Sequence, residues 1–234
     1  MLRAFDLAEK YQLPVFVLSD HFLAKRRETF PLPEVDGARR STRVRPTSEE
    51  LIDYKRYRLT DTGISPMAVP GEPGGWYVAT GLEHTEAGAP SYDPEMHRKT
   101  ANKRARKLEQ AARELQMVRR FGDEDAEIGI IGWGSTEGAV REAILKAQEK
   151  GYRVACLYPL SLSPLPVKKI NDFVKTVKKV IVPELNYSGQ FAHLLRAKCA
   201  VDTISLTIAE GLRPGGEVPA PRLRPERPLP RQAA

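Results

Sequence analysis

Two glycines one residue apart interrupt an apolar run in the segment EIGIIGWGSTEGAVREAI, residues 127–144, and a helical pattern follows them. A turn at Gly132 and Gly134 would expose free backbone N–H groups at a helix start, where a phosphate or another anion can bind. A dinucleotide fingerprint also requires G-x-G-x-x-G spacing and an acidic residue after the second strand. Gly138 lies one position too late, and the second strand ends in LYP, residues 157–159. The pattern favours a structural corner, with a small nucleotide- or CoA-binding α/β module as the alternative.

A second segment, TGLEHTEAGAPSYDPEMHRKT at residues 80–100, gathers side chains that could bind a divalent metal. Its two histidines and four carboxylates are Glu83, His84, Glu86, Asp93, Glu95 and His97. The spacing contains no helical H-x-x-x-H pair, and no thiolate lies nearby. Such a pattern is typical of a loop whose polar side chains hold its own backbone or reach a partner subunit. We therefore expect no metal site here, and the missing G-x-S-x-G signal gives no candidate catalytic residue.

The elements that must position the two glycines follow a regular alternation from residue 127 onward. Strand-like runs alternate with predicted helices at 136–149, 166–177 and 188–197; the runs are EIGII, RVACLY, KKVIVPEL and DTISLTI. Alternation of this kind predicts an α/β domain over residues 118–210, with a sheet of about four parallel strands between two helix layers.

The upstream half is organised differently. Residues 1–23 read as a helix followed by the strand VFVLSD at 15–20, which is apolar on both faces as in the interior of a parallel sheet. A long connection over 24–117 is rich in proline and glycine until a basic helix at 95–117. The last segment, 211–234, is an Arg/Pro tail that we expect to be disordered.

Composition narrows the functional classes. The net charge of +7 comes largely from residues 98–107 and 213–231, where aromatic side chains are not interleaved, so no nucleic-acid partner is predicted. No apolar stretch approaches the roughly 20 residues of a membrane span, and the N-terminus lacks a secretory signal. The sequence therefore predicts a cytoplasmic protein without a membrane partner. The two cysteines, Cys156 and Cys199, are too few for a disulfide framework and suit buried apolar positions.

Four stretches resemble the α-subunit of 2-oxoacid:ferredoxin oxidoreductases, the 2-oxoglutarate type in particular. They occur in the order of that family and span about residues 1–210. The stretches are LPVFVLSDHFLA (13–24), YRLTDTGISPMAVPG (57–71), TGLEHTEAGAPSYDPEMHRKTANKRARKLE (80–109), and IGWGSTEGAVREAI with VIVPELNYSGQFAHLLR (131–144 and 180–196).

The resemblance implies a fold and a role for each segment. It makes residues 1–23 the end of a pyrimidine-binding thiamine domain, and residues 118–210 a domain similar to the C-terminal domain of transketolase. In that family the turn after the first strand of the second domain does not bind the cofactor phosphates. The resemblance thus implies structural or interface roles for Glu83, His84, Gly132, Gly134, Glu184, Asn186, Gly189 and Gln190.

The family's substrate-reading and thiamine-activating motifs are missing from this sequence. No Y-P-I-T-P-like motif, no arginine before a G-P-S-T-G-like turn and no thiamine-activating glutamate is recognisable. The resemblance implies a C-terminal portion of the α-subunit, either split or truncated, that binds no cofactor alone and gives structure and subunit contacts. Thiamine diphosphate, magnesium and an iron–sulfur cluster are expected in the assembled complex. The implied partners are the β-subunit, the upstream half of the α-subunit and, through the complex, ferredoxin and CoA.

Overall fold

The computed structural model describes residues 2–32, 42–209 and 222–224. The chain divides into two compact units, the first formed by Met1–Leu18 with Arg27–Glu114 and the second by Ser19–Arg26 with Leu115–Ala234. The helices are α1 Leu2–Tyr11, α2 His21–Lys25, α3 Pro94–Glu114, α4 Glu137–Gln148, α5 Val167–Val174 and α6 Gln190–Cys199. The strands are β1 Val118–Gly122, β2 Ile128–Ile131, β3 Val154–Pro159, β4 Lys179–Glu184, β5 Ile204–Thr207 and β6 Arg222–Arg224. No helix in these described ranges is long and apolar enough to cross a membrane.

The first unit is built on α3, the long basic helix predicted at 95–117. Asp93 caps its start, because the carboxylate accepts the backbone N–H groups of Glu95 and Met96 at 3.1 and 3.2 Å. Turns and isolated contacts, including one antiparallel bridge between His84 and Pro90, organise the described residues 42–93 in place of a sheet.

The prediction of a strand at 15–20 is wrong, because these residues have no assigned secondary structure. Its apolar side chains are exposed, with Phe16 84% and Leu18 66% accessible. The physical reason is that a strand needs a hydrogen-bonded neighbour, and no described strand of the first unit supplies one. The apolar pattern is present without the sheet that would bury it.

The second unit contains a six-stranded sheet in the order β1-β3-β2-β4-β5-β6 among the described residues. Strands β2 to β5 are parallel, which confirms the predicted parallel α/β core. Strand β1 was not predicted, and it pairs antiparallel with β3 at one edge. Strand β6 pairs antiparallel with β5 and lies in the segment predicted to be disordered, so that prediction is wrong for residues 222–224. The rest of that segment lies outside the described residues.

Helices cover both faces of this sheet and complete the predicted three layers. Helix α4 packs on one face through Val140 and Ile144, against a cluster that includes Cys156 and Tyr158. Helices α5 and α6 cover the other face around Ile131, Phe173, Phe191 and Leu195. The side chain of Trp133 packs against this second cluster, with its ring centroid 6.3 Å from that of Phe191. Both cysteines are free thiols, Cys156 buried and Cys199 half-buried.

Candidate functional site

The Gly132–Trp133–Gly134 turn joins β2 to α4, and each glycine has a separate structural reason. A Cβ atom on Gly132 would lie 2.4 Å from the Tyr158 hydroxyl oxygen, so only a glycine fits above that ring. Gly134 has open space around it but a φ of +62°, which is the left-handed region. The Thr136 hydroxyl lies 2.8 Å from the Trp133 carbonyl and 3.0 Å from the Tyr158 hydroxyl. Side chains of the unit itself therefore pack this corner.

Glu184 is the centre of a second cluster in the same unit, and it is 2% exposed at the end of β4. Its carboxylate accepts the backbone N–H groups of Phe191 at 2.8 Å and Ala192 at 3.0 Å, in the first turn of α6. The Asn186 amide donates to the same carboxylate at 2.7 Å, and its oxygen accepts the Gly189 N–H at 2.7 Å. The carboxylate thus satisfies two of the unpaired donors of the helix start.

Gly189 and Gln190 complete the β4–α6 connection. Gly189 has φ +68°, and a Cβ there would lie 2.6 Å from the Ser205 hydroxyl oxygen on β5. Gln190 begins α6 and is exposed. The structure therefore brings Glu184, Asn186 and Gly189 into one hydrogen-bonded group and leaves the Gln190 side chain at the surface.

Glu83 anchors the loop region of the first unit to α3. Residues 97, 100 and 104 lie on one side of the helix, and all three bind this carboxylate. His97 Nδ1 lies 2.6 Å from one oxygen, Thr100 Oγ1 donates at 3.0 Å, and Arg104 donates two bonds at 3.2 and 3.1 Å. Hydrogen bonding to Arg104 is the main reason why the pKa of Glu83 falls from 4.5 to about 2.

His84 lies next to Glu83 in sequence but belongs to a different contact. Its ring stacks on Tyr57 with centroids 3.9 Å apart, and its Nδ1 is 2.9 Å from the Thr85 carbonyl. The other carboxylates of this segment are also engaged locally, since Glu86 accepts the Leu59 N–H at 2.7 Å. In the described part of the chain, no group of three His, Cys, Asp or Glu residues could hold a metal ion.

Lys103 is a buried residue that the basic run of the sequence does not reveal. It lies within the basic run of α3, yet it is only 8% exposed. Its Nζ donates to the Tyr57 carbonyl at 2.9 Å and makes a short hydrogen bond to the Ser65 hydroxyl. Burial, followed by the charges of Lys107 and Arg56, lowers the pKa of Lys103 from 10.5 to about 8. Helical phase was the available signal, because Lys103 follows Thr100 and precedes Ala111 on the buried face.

Two domain families match the chain in succession. The thiamine-diphosphate-binding domain of pyruvate flavodoxin/ferredoxin oxidoreductases matches residues 1–103, and core domain II of pyruvate:ferredoxin oxidoreductase matches residues 126–223. A solved structure of 2-oxoglutarate:ferredoxin oxidoreductase from Magnetococcus marinus, with 2-oxoglutarate, coenzyme A and succinyl-CoA bound, is 44% identical. Its similarity covers 88% of this chain and 36% of that chain, with a TM-score of 0.82.

Curated relatives agree with that structure. The α-subunit of 2-oxoacid:ferredoxin oxidoreductase 2 from Aeropyrum pernix is 32% identical over 91% of this chain and 34% of its own length. The 2-oxoglutarate oxidoreductase subunit KorA from Mycobacterium tuberculosis is 34% identical over 90% of this chain and 32% of its own length. The chain therefore spans about a third of the length of these two relatives.

The fold and these matches define two consecutive domains of the thiamine-dependent ferredoxin oxidoreductase type. More narrowly, the chain belongs to the α-subunit family of 2-oxoacid:ferredoxin oxidoreductases and corresponds to part of that subunit. This confirms the resemblance drawn from the four sequence stretches.

The positive φ of Gly134 leads us to expect a loss of stability when this residue is substituted. We expect Gly134→Val to lower the free energy of unfolding by about 1–3 kcal/mol, because a β-branched residue tolerates a positive φ badly. Gly134→Asn is the matched control, since asparagine visits the left-handed region more readily and should lose less. Urea unfolding of the three proteins measures the difference. Unchanged unfolding together with a lost affinity for a phosphate ligand would instead support an anion cradle at this turn.

The hydrogen bonds of buried Lys103 lead us to expect a loss of stability when this residue is replaced. Lys103→Met keeps the length of the side chain but leaves the Tyr57 carbonyl and the Ser65 hydroxyl without their donor. We expect a loss of about 1–3 kcal/mol in the free energy of unfolding, the cost of unsatisfied buried polar groups. Arg106→Met on the exposed face of the same helix is the control and should change stability by less than about 0.5 kcal/mol. Equal effects for the two variants in denaturant titrations would contradict the anchoring role of Lys103.

The lowered pKa of Glu83 leads us to expect that the stability of the chain depends on pH. Its pKa is lower in the folded chain than in the unfolded chain, so the unfolded state binds more protons between about pH 2 and pH 4.5. The stabilisation is fully present above that range and is lost as the pH falls through it. We expect the stability difference between the wild type and Glu83→Gln to shrink accordingly in acid titrations followed by circular dichroism. A difference that stays constant through this range would show that the carboxylate is not held as the structure describes.

Proposed function

We propose that this chain contributes structure and subunit contacts to a 2-oxoacid:ferredoxin oxidoreductase complex. In the proposed complex a 2-oxoacid is oxidatively decarboxylated, an acyl-CoA forms and ferredoxin accepts the electrons. The observation that carries the proposal is the extent of one match, because 88% of this chain follows the fold of the Magnetococcus marinus enzyme at 44% identity. The alternative, a small nucleotide- or CoA-binding module at Gly132–Gly138, is not favoured by these relatives.

The proposal assigns the cofactors to other parts of the complex. Thiamine diphosphate is held with a magnesium ion, which prefers carboxylate oxygens and water as ligands. The described residues of the matched region do not fit such a site, because no group of three His, Cys, Asp or Glu residues among them could hold a metal ion. Two of their carboxylates are also paired with arginines. Glu9 pairs with Arg43, and Glu83 is bound by Arg104. We therefore derive no chemical step from this chain, and we propose that thiamine diphosphate, magnesium and the iron–sulfur cluster bind elsewhere in the assembly.

The contacts of the predicted site residues support a scaffolding role. The Glu83 network fastens a loop region to a helix, and the Glu184 network fastens a helix to a sheet. The exposed Gln190 and the stacked His84 are the members of the set that we propose for subunit contacts or local order. In this proposal the chain works in the cytoplasm, where its two free thiols stay reduced.

The exposed apolar segment 15–18 supports a protein partner. Val15, Phe16, Val17 and Leu18 are 39%, 84%, 55% and 66% exposed, which is unusual for four consecutive apolar residues in a folded chain. Their pattern suits an interior strand of a parallel sheet. We propose that the upstream part of the α-subunit supplies the neighbouring strands, and that the β-subunit binds the assembled α-subunit.

Hydrogen exchange of the full chain, alone and co-expressed with the upstream α-subunit part and the β-subunit, tests this role. Amides of residues 15–18 should exchange rapidly in the chain alone and become protected in the complex, because they gain strand partners. Strand β3 is the internal control, since all six of its residues are buried and should be protected in both samples.

Activity provides a second and separate measurement. Oxidation of 2-oxoglutarate or another 2-oxoacid should require the complex, and titration calorimetry of the chain alone with thiamine diphosphate and magnesium should show no saturable binding. Micromolar cofactor binding by the isolated chain, or full protection of residues 15–18 without partners, would overturn the proposal.

A further inference from the structure

A groove in the second unit is not used by the proposed subunit role. It lies between α4 and the edge strand β1, with β3 as its floor, and its volume is about 340 Å³. This size is at the lower end of the range of about 300–1,000 Å³ that is usual for small-molecule sites. We name it the arginine groove after its lining residues, which are Arg119, Arg120, Phe121, Glu137, Arg141, Cys156 and Tyr158.

The strand register explains why these side chains meet. In the antiparallel β1–β3 pair, Arg119 is opposite Tyr158 and Phe121 is opposite Cys156. Directly paired residues point to the same face of a sheet, so these four side chains share the α4 face. Glu137 is half-buried in the first turn of α4, and a residue four positions later lies on the same side of that helix. The groove thus has a neutral floor, formed by Phe121, Cys156 and Tyr158. Its rim is charged, and it is formed by Arg119, Glu137 and Arg141.

The rim places one carboxylate between two guanidinium groups. Arg119 Nη1 lies 2.9 Å from one oxygen of Glu137, and Arg141 Nη1 lies 3.9 Å from the other. The Arg141 guanidinium also lies over the Phe121 ring, 4.4 Å from its centroid, which fixes the orientation of its donors. The guanidinium groups of Arg119 and Arg141 meet one carboxylate, so the groove has an excess of positive charge. Arg120 alternates with its strand neighbours, and its guanidinium donates instead to the Asp123 and Glu124 carbonyls.

We propose that the arginine groove binds a small oxyanion, a carboxylate or a phosphate group of a metabolite, between Arg119 and Arg141. The fork of donors on a guanidinium matches both kinds of oxyanion. In the ligand-free chain Glu137 occupies this position as an internal substitute, and the ligand competes with it for the two arginines.

The groups on the floor of the groove are not nucleophiles, so a ligand binds there non-covalently. Burial raises the pKa of the Cys156 thiol and of the Tyr158 hydroxyl, so both groups are neutral at physiological pH. A protonated, buried thiol is a poor nucleophile. The floor therefore offers contact surface to the body of the ligand, and the rim supplies the charge recognition.

Titration of the ¹⁵N-labelled full chain with inorganic phosphate, and separately with acetate, tests the proposal. Ionic strength is held constant with sodium chloride, and amide shifts of Phe121, Glu137 and Tyr158 report the groove. Preference for phosphate or for acetate distinguishes the two sources of the oxyanion. We expect Glu137→Gln to tighten binding by about fivefold, since it removes the competing carboxylate, and Arg141→Gln to weaken it by about tenfold.

The same helix supplies matched controls. Glu142 and Lys146 form an i,i+4 ion pair of 2.6 Å on α4 outside the groove, and both side chains are 66% exposed. Glu142→Gln and Lys146→Gln make the same changes in net charge and should alter binding by less than about twofold. Arg119→Gln on β1 is a second test of the rim if Arg141→Gln melts earlier than the wild type. Equal responses of groove and control variants, or shifts confined to residues outside the groove, would overturn the proposal.

Discussion

A buried carboxylate holds the second unit together at the junction of β4 and α6. Glu184 loses its hydration in this position, and such a loss is tolerated only when fixed donors replace the water. Two backbone N–H groups of α6 and the amide of Asn186 are these donors. The arrangement sets where α6 begins, and α6 in turn covers one face of the sheet with Phe191 and Leu195. Gly189 is required because the chain passes so close to Ser205 on the neighbouring strand.

In the first unit, positively charged lysine side chains satisfy backbone polar groups, as the Glu184 carboxylate does in the second unit. Its described loop region, 42–93, has no strand ladder, so its backbone polar groups need other partners. Lys103 reaches from α3 to the Tyr57 carbonyl, and Lys107 reaches to the Gln12 carbonyl at 3.2 Å. Together with Glu83, these side chains join a helix to segments that are distant in sequence. A helix rich in cations therefore serves as the internal support of this unit as well as part of its surface.

The sequence predicted the parallel strands well because their signal is local. Alternation of apolar strands with helical patterns locates β2 to β5 and the three helices between them. The edge strand β1, VRRFG, was missed because its two arginines interrupt the apolar pattern of a buried strand. The segment VFVLSD was assigned to a strand on the same local signal, although strand formation depends on a neighbour that no described part of the first unit provides.

The contacts of the candidate site residues also depend on partners that are distant in sequence, which local patterns do not reveal. Adjacent residues such as Glu83 and His84 were considered together as metal ligands, yet one binds α3 and the other stacks on Tyr57. The burial of Lys103 could not be predicted from the basic run 98–107, because it depends on Tyr57 and Ser65, more than thirty residues away in sequence. Resemblance to a family singled out Glu184, Asn186, Gly189 and Gln190, whereas spacing alone indicated no role for them.

The packing of Trp133 on Phe191 has an optical consequence. The chain contains two tryptophans, one in each unit, and their surroundings differ. Trp76 is 82% exposed, so its indole is largely hydrated, whereas Trp133 is half-buried beside α6. Fluorescence from Trp133 therefore shifts to longer wavelength when α6 separates from the sheet, while the emission of Trp76 changes little. The protein contains its own spectroscopic label for the integrity of the β2–α4 corner and of the helix that Glu184 holds in place.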